Sequence, residues 1–359
     1  MSESTGFRNA RYAQAITREI VSLNKERETR IVHVCGTHED TISSHGIRSL
    51  LPSSLRLVAG PGCPVCVCAA EDVDRAIELA RQGHIITTFG DMIHVPSTDS
   101  SLAKERATGA DVRVVYGAGE AVAIARDNPD KEIVFVGVGF ETTAPTIAIE
   151  ILGNPPENFS ILTSLKVIPP AMELLVTIEG FEVDGFITPG HVSTIIGSNA
   201  FQEFAKKNRV PCVVAGFEPL DVLESIRMIL KQIEEGRAES ENEYTRVVKP
   251  DGNRAAQKVL SDVFRLDDAP WRGLGIIKKS GYYIRDGYAE HDAQLRFEFP
   301  EFESVDIMPG CRCHEIILGM ADPIDCTLFG NRCTPENPYG PCMVGHEGTC
   351  RIRHEYTLV

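Results

Sequence analysis

The feature that most constrains the fold is a rhythm. Short, continuous apolar runs alternate with amphipathic stretches from residue 30 to residue 232. The runs at 30–34, 55–59, 84–89, 112–116, 133–138, 161–167, 185–187 and 210–215 are rich in β-branched residues and read as strands. Between them, 73–82, 100–108, 120–127, 143–152, 171–179, 193–206 and 220–232 read as helices, and 11–26 places an amphipathic helix in front. A strand that is apolar throughout must be covered on both faces, as in parallel sheets crossed by helices. The spacing therefore predicts two α/β domains of similar build, meeting near residues 117–129. After residue 234 the rhythm stops. Residues 234–243 read as an acidic linker or exposed helix end, 243–264 as a helical stretch broken by Pro250-Asp251-Gly252, and 275–278 as a short strand. From Cys311 onward prolines, glycines and cysteines dominate, and such a segment needs a metal or cross-links to hold it.

The polar, glycine-rich motifs stand where strands end: 35–40, 60–66, 88–91, 137–143, 188–193 and 216–219. In open α/β sheets ligands bind beyond the carboxyl ends of the strands, so these motifs are expected to converge on one cleft. The chain has 359 residues and a formal net charge of −15, which argues against nucleic acid and against an anionic membrane surface. No apolar run approaches a membrane span, and the polar N-terminus does not resemble a signal peptide, so a cytoplasmic protein is expected.

Eleven cysteines carry the chemistry: four between Cys35 and Cys68, six between Cys311 and Cys350, and Cys212 alone in an apolar strand. In a reducing compartment such thiols are ligands or catalytic groups more often than structural disulfides. In Gly60-Pro61-Gly62-Cys63-Pro64-Val65-Cys66-Val67-Cys68, the C-x-x-C pair can close a small disulfide or clamp a soft metal. A helix dipole just downstream favours thiolate there. Cys35 follows a strand and precedes Gly36, so its sulfur is expected to be exposed at the strand end, with His38 three residues on as base, hydrogen-bond partner or ligand. Cys68 is assigned a minor role. Glu141 at a strand end and His191 after Pro189-Gly190 are further candidates for the cleft, and Glu39 is read as helix-start electrostatics. In the C-terminal cluster six thiols, with His314 and His346 as possible substitutes, exceed the four that zinc or a 4Fe-4S cluster needs. Spacing alone leaves iron–sulfur and zinc open.

These residues resemble the HypD family of NiFe-hydrogenase maturation proteins. The resemblance rests on Cys35-Gly36-Thr37-His38-Glu39, Gly60 to Cys66, Gly139 to Thr143 and Pro189 to Ser193. It continues through Cys326-Thr327-Leu328-Phe329-Gly330, Cys333-Thr334-Pro335 and Met343 to Cys350, from about residue 30 to the C-terminus. It implies two parallel-sheet α/β domains facing a common cleft plus an irregular C-terminal region holding a 4Fe-4S cluster. The expected division is 1–120, 121–218 and 219–359, with the N-terminal helix free to pack elsewhere. The resemblance further implies a scaffold on which the Fe(CN)2CO group of the hydrogenase is assembled, working with a HypC-type chaperone and a HypE-type protein that delivers cyanide. Carried over, Cys35 is the thiolate that helps hold the iron, with His38 beside it. Cys63 and Cys66 are the accompanying redox or ligand pair. Cys313, Cys326, Cys333 and Cys350 match the cluster spacing, with Cys311 and Cys342 as spares. Three positions depart from the family pattern: Asp40 where a second histidine is frequent, Cys68 where a non-thiol is expected, and His94 in place of arginine. Two other classes fit the bare residues: a stand-alone iron–sulfur thiol–disulfide oxidoreductase, and a zinc-stabilised binding protein.

Overall fold

A computed structural model describes residues 9–357. The first eight residues of the polar N-terminus lie outside the described residues. Eleven strands form in chain order: β1 Thr29–His33, β2 Leu55–Ala59, β3 Ile85–Thr88, β4 Val112–Val114, β5 Ile133–Gly139, β6 Phe159–Leu165, β7 Gly185–Pro189, β8 Cys212–Ala215, β9 Ser240–Asn242, β10 Phe264–Trp271 and β11 Gly275–Ile284. They make two parallel sheets, ordered β2-β1-β7-β8-β9 and β4-β3-β5-β6, and an antiparallel hairpin, β10-β11. Every residue of β5 and β6 is buried, as strands covered on both faces require. The α/β class, the parallel sheets and the irregular C-terminal region follow the expectation.

The division of the chain does not. The first sheet takes β1 and β2, then β7, β8 and β9, while the intervening β3 to β6 build the second sheet. A boundary at residue 120 would fall between β4 and β5, which belong to one sheet. The reason is pairing at long range: β7 returns to lie beside β1, with Val32 opposite Phe186. Two smaller corrections follow. The acidic stretch 234–243 is no linker, because Ser240–Asn242 closes the first sheet as an edge strand beside β8. Residues 243–253 are turns rather than helix, and the helix there is Arg254–Val263, started by the Asn253 side chain accepting from Ala255 and Ala256 N–H.

In each sheet the chain order reverses at one place, between β1 and β7 in the first and between β3 and β5 in the second. Crevices for ligands open at the carboxyl ends of such strand pairs. Cys35 follows β1 and His191 follows β7, while Asp91 follows β3 and Glu141 follows β5. The topology thus places four of the polar motifs at the two switch points. The hairpin β10-β11 reaches the thiol loop after β2 through a backbone bridge between Cys68 and Trp271. One apolar core unites both ends of the chain: Cys63, Cys66, Phe140, Trp271, Cys313 and Cys342 belong to it.

Candidate functional site

Cys35 leaves β1 in extended conformation and caps the helix Gly36–Ser44. Two close approaches bring the next strand's loop against it. Gly36 N–H donates to Gly62 O (3.1 Å), and a Cβ on Gly62 would fall 2.2 Å from Cys35 N. Only glycine fits there. The loop then turns through the helical segment Pro64–Val67, and Cys63 and Cys66 are joined as a disulfide. The thiolate expected at this pair is therefore absent in the oxidised form described.

The Cys35 sulfur is buried, not exposed. The cover comes from the far end of the chain, which strand-end reasoning does not include. Gly36 lies against Glu347, whose Cβ would sit 2.3 Å from a Cβ at position 36. Thr37 Oγ1 donates to Glu347 Oε1 (3.1 Å). A Cβ on Gly345 would fall 3.0 Å from Asp91 Oδ2. Burial pushes the Cys35 thiol up to about 12, with the Glu347 charge adding to it and the N–H groups of His38 and Thr37 partly offsetting it. Glu347 is itself raised, by burial and then by Asp91. Cys35 is thus a protonated thiol at neutral pH.

His38 is fully buried. Its Nε2 faces Ala215 O (3.3 Å) and Gly216 O (3.0 Å), so Nε2 carries the proton and donates to both. Nδ1 is then a bare lone pair, and it has no partner in the fold. Burial, then the neighbouring His33, pushes this imidazole down to about 3, so it is neutral. It packs tilted against Phe217 (5.0 Å between ring centroids), which in turn stacks on His191 (4.0 Å). His191 thus joins the site as the outer member of a stack.

Glu39 does more than start a helix. Both its oxygens engage Arg48 (3.0 and 2.6 Å), and Oε2 accepts from His33 Nε2 (2.8 Å). His33 Nδ1 lies 3.2 Å from the carbonyl of Cys35. Although burial acts the other way, Arg48 and His33 hold the Glu39 carboxyl well below the usual carboxylate range. The chain Arg48–Glu39–His33 fixes the backbone that presents Cys35. A cavity of about 350 Å³ adjoins it, walled by β2 and Arg48 on one side and by residues 319–323 and Arg353 on the other.

Glu141 is fully buried, but its partner is the Ile168 N–H (3.0 Å), and Oε2 is unpaired. Burial raises its carboxyl to about 7. Its contacts lie with the helix Ile168–Leu175 and with Tyr282 on β11, whose hydroxyl feels its charge, rather than with a thiol.

The C-terminal cysteines converge although they lie on separate turns. Cys311, Cys313, Cys326, Cys333, Cys342 and Cys350 line one cavity together with Ile316, Leu328, Phe329 and Met343. Cys313 Sγ and Cys342 Sγ are 2.7 Å apart, and Cys333 Sγ accepts from Tyr339 N–H (3.3 Å). Among the described residues no three Cys, His, Asp or Glu side chains surround a single ion position. The sulfurs ring an apolar space instead. A donor set made wholly of thiols in an apolar pocket fits a sulfur-rich iron centre. His314 and His346 do not line this cavity. Cys68 sits apart, beneath Ser164 (3.3 Å), and Cys212 opens β8 inside the core.

A model of the HypD family, described as a hydrogenase formation family, matches residues 11–357. The chain belongs to the HypD family. A hydrogenase expression/formation protein of Methanocaldococcus jannaschii is 47% identical over 351 residues, covering 96% of this chain and 98% of that one. The hydrogenase maturation factor HypD2 of Bradyrhizobium diazoefficiens is 42% identical over 369 residues, covering 99% and 97%. The hydrogenase maturation factor HypD of Azotobacter vinelandii is 43% identical over 364 residues, covering 98% and 95%. Of the departures from the HypD pattern, Asp40 has a local explanation: it accepts a hydrogen bond from Tyr356 (3.0 Å), on the helix Thr349–Thr357. Glu347, Thr37, Asp91, His33 and Arg48 are the site residues that motif reading passed over. Thr37, Asp91 and Glu347 each lie inside a motif quoted above for its neighbours, whereas His33 and Arg48 carried no signal. No helix among the described residues is long and apolar enough to cross a membrane.

Proposed function

We propose that this chain is a hydrogenase maturation factor that holds iron at Cys35 while cyanide and carbon monoxide ligands are placed on it. The observation that carries the reading is the crevice at the β1/β7 switch point. It buries a thiol, an imidazole with a bare Nδ1 and the Cys63–Cys66 disulfide close together. Thiolate and imidazole suit iron(II) as a substrate bearing strong-field ligands. Burial keeps His38 neutral and two backbone carbonyls hold its proton on Nε2, so it can accept at Nδ1 without first losing a proton. Thr37 and Glu347 stand at the mouth, where the carboxyl can receive the proton that Cys35 releases on binding. The tail around Glu347 keeps water from the site.

Cys313, Cys326, Cys333 and Cys350, with Cys311 and Cys342 at hand in the same cavity, are the residues that would hold a 4Fe-4S cluster. When bound, such a cluster supplies electrons one at a time. A HypC-type chaperone and a HypE-type cyanide donor are the proposed partners, and the cell interior is the proposed location.

Cys35→Ala is expected to abolish maturation of the hydrogenase in cells that carry it as the sole copy, while purified protein keeps its sulfide-associated iron. Full maturation with Cys35→Ala would overturn the iron-holding role. The disulfide supports a second reading, a stand-alone thiol–disulfide oxidoreductase. That reading requires turnover of a dithiol substrate with no partner protein present.

A further inference from the structure

The polar edge strand β9 delivers a carboxylate to the back of the Cys35 crevice. It pairs with β8 so that Asn242 lies opposite Val214, and Glu243 N–H then donates to Val214 O (2.9 Å). This register sets the Glu243 side chain beside the turn that leaves β8. Its Oε2 accepts from Gly216 N–H (3.1 Å), and Arg246 Nη1 lies 3.6 Å from its Oε1. Arg246 also pairs with the buried Asp221, whose Oδ2 accepts from Glu218 N–H (3.1 Å). The turn is crowded from this side. A Cβ on Gly216 would collide with Asp221 Oδ2 and fall 2.7 Å from Tyr244 Cδ2.

Gly216 N–H and Ala215 O belong to one peptide group. Ala215 O is one of the two acceptors of His38 Nε2 (3.3 Å), Gly216 O being the other (3.0 Å). A continuous chain therefore runs from His38 Nε2–H through the Ala215 carbonyl and the Gly216 N–H to the Glu243 carboxylate. A peptide is a conjugated plane, so an anion at its N–H deepens the negative end at its oxygen. Ala215 O becomes the stronger acceptor, and the imidazole is held by a fixed backbone group. At metal sites a carboxylate commonly orients a histidine by touching its second ring nitrogen directly. Here one peptide stands between them, and Nδ1 is left bare.

We propose that Glu243 is a positioning residue for His38: acting through the 215–216 peptide, it pins the imidazole by its Nε2 proton and keeps Nδ1 turned to the crevice as a donor for iron. The use of Nδ1 for iron rests on the function proposed above, whereas the hold on the Nε2 proton does not. The edge strand β9 thereby has a task beyond closing its sheet, since its pairing with β8 is what brings Glu243 level with Gly216.

The test joins two measurements on the full chain at pH 8.5, where Glu243, although raised by burial, is ionised. Nuclear magnetic resonance of metal-free protein labelled with 15N-histidine follows the His38 Nε2–H, assigned by its loss in His38→Gln, and its exchange with water. Anaerobic titration with iron(II) measures the binding that disappears in Cys35→Ala. Glu243→Ala is expected to speed the His38 exchange at least about tenfold and to weaken the Cys35-dependent iron binding at least about tenfold. Glu243→Gln, whose amide oxygen still accepts from Gly216 N–H, is expected to stay within about threefold of the parent on both. Circular dichroism checks that each variant keeps the fold. Folded Glu243→Ala with the parent's exchange rate would overturn the proposal, and so would Glu243→Gln that fails to restore it. Faster exchange with unchanged iron binding would uphold the hold on the Nε2 proton and overturn His38 as an iron donor. Parent protein without Cys35-dependent iron binding would overturn the iron-holding reading, and the exchange rates would still decide the role of Glu243.

Discussion

A thiol pushed up to about 12 is a slow nucleophile at neutral pH. In metal-free protein Cys35 is expected to react with iodoacetamide at least about a hundredfold more slowly than an exposed cysteine at pH 7.5. Its rate should climb about tenfold per pH unit up to pH 10, because only the thiolate reacts. Mass spectrometry of the labelled peptide measures both. Glu141 gives a stability prediction of definite sign. Its folded-state value of about 7 lies above the ordinary 4.5, so between those pH values the folded chain holds a proton that the unfolded chain has released. Stability then falls as pH rises through this window and is flat above it. Glu141→Gln, which cannot ionise, is expected to be more stable than the parent at pH 8, by up to about 3 kcal/mol, and equal to it near pH 4. Denaturant midpoints at the two pH values decide it. Residue types announced their chemistry in the sequence at Cys35, His38 and Cys63. The burial that sets protonation at Cys35 and His38 was invisible there, because Cys35 is covered by the tail around Glu347 and His38 by residues 215–217 at the end of β8.

At the scale of elements, Gly36 after β1 and Gly62 after β2 are what let two turns pack together. Gly62→Ala would drive a methyl into the Cys35 backbone at 2.2 Å, where neither neighbour is a flexible side-chain end. A loss of more than about 2 kcal/mol is expected, read from thermal or urea unfolding. Gly36→Ala meets Glu347 instead, on the covering tail. That change is expected to lift residues 345–348 and speed alkylation of Cys35 at least about tenfold while the two sheets keep their structure. Elements with strong periodicity were legible: β2 spans the residues expected for it, and β5 and β6 shift by only one or two residues at their ends. The edge strand β9 was not. Ser240-Glu241-Asn242 carries no apolar signal, and an edge strand of three polar residues needs none, since one backbone partner and solvent satisfy it. The helix expected from residue 243 to the break at Pro250-Asp251-Gly252 failed for a different reason. The chain turns at Tyr244, whose carbonyl accepts from Val247 and Val248 N–H, and Gly252 then takes φ +66° at the break the sequence announced.

Over the whole molecule, the alternation of strands and helices specified parallel sheets but could not say which strands share one. Periodicity is local, whereas the pairing of β1 with β7 spans residues 31 and 185 and encloses the entire second sheet. The interleaving has a functional consequence, since it sets Cys35 and His191 on adjacent strands of one switch point. The C-terminal cysteines, unreadable as a spacing pattern, become one cavity only when separate turns fold over a core shared with Cys63 and Cys66. The function proposed above requires two distinct iron sites, one at Cys35 and one in the C-terminal cavity. Iron, zinc and acid-labile sulfide content, taken with infrared spectra of protein produced anaerobically alongside its partners, tests it most directly. About four sulfides per chain are expected, with iron in excess of sulfide and cyanide and carbon monoxide stretches that vanish in Cys35→Ala while the sulfide stays. One zinc and no sulfide, or diatomic-ligand bands undiminished in Cys35→Ala, would contradict it.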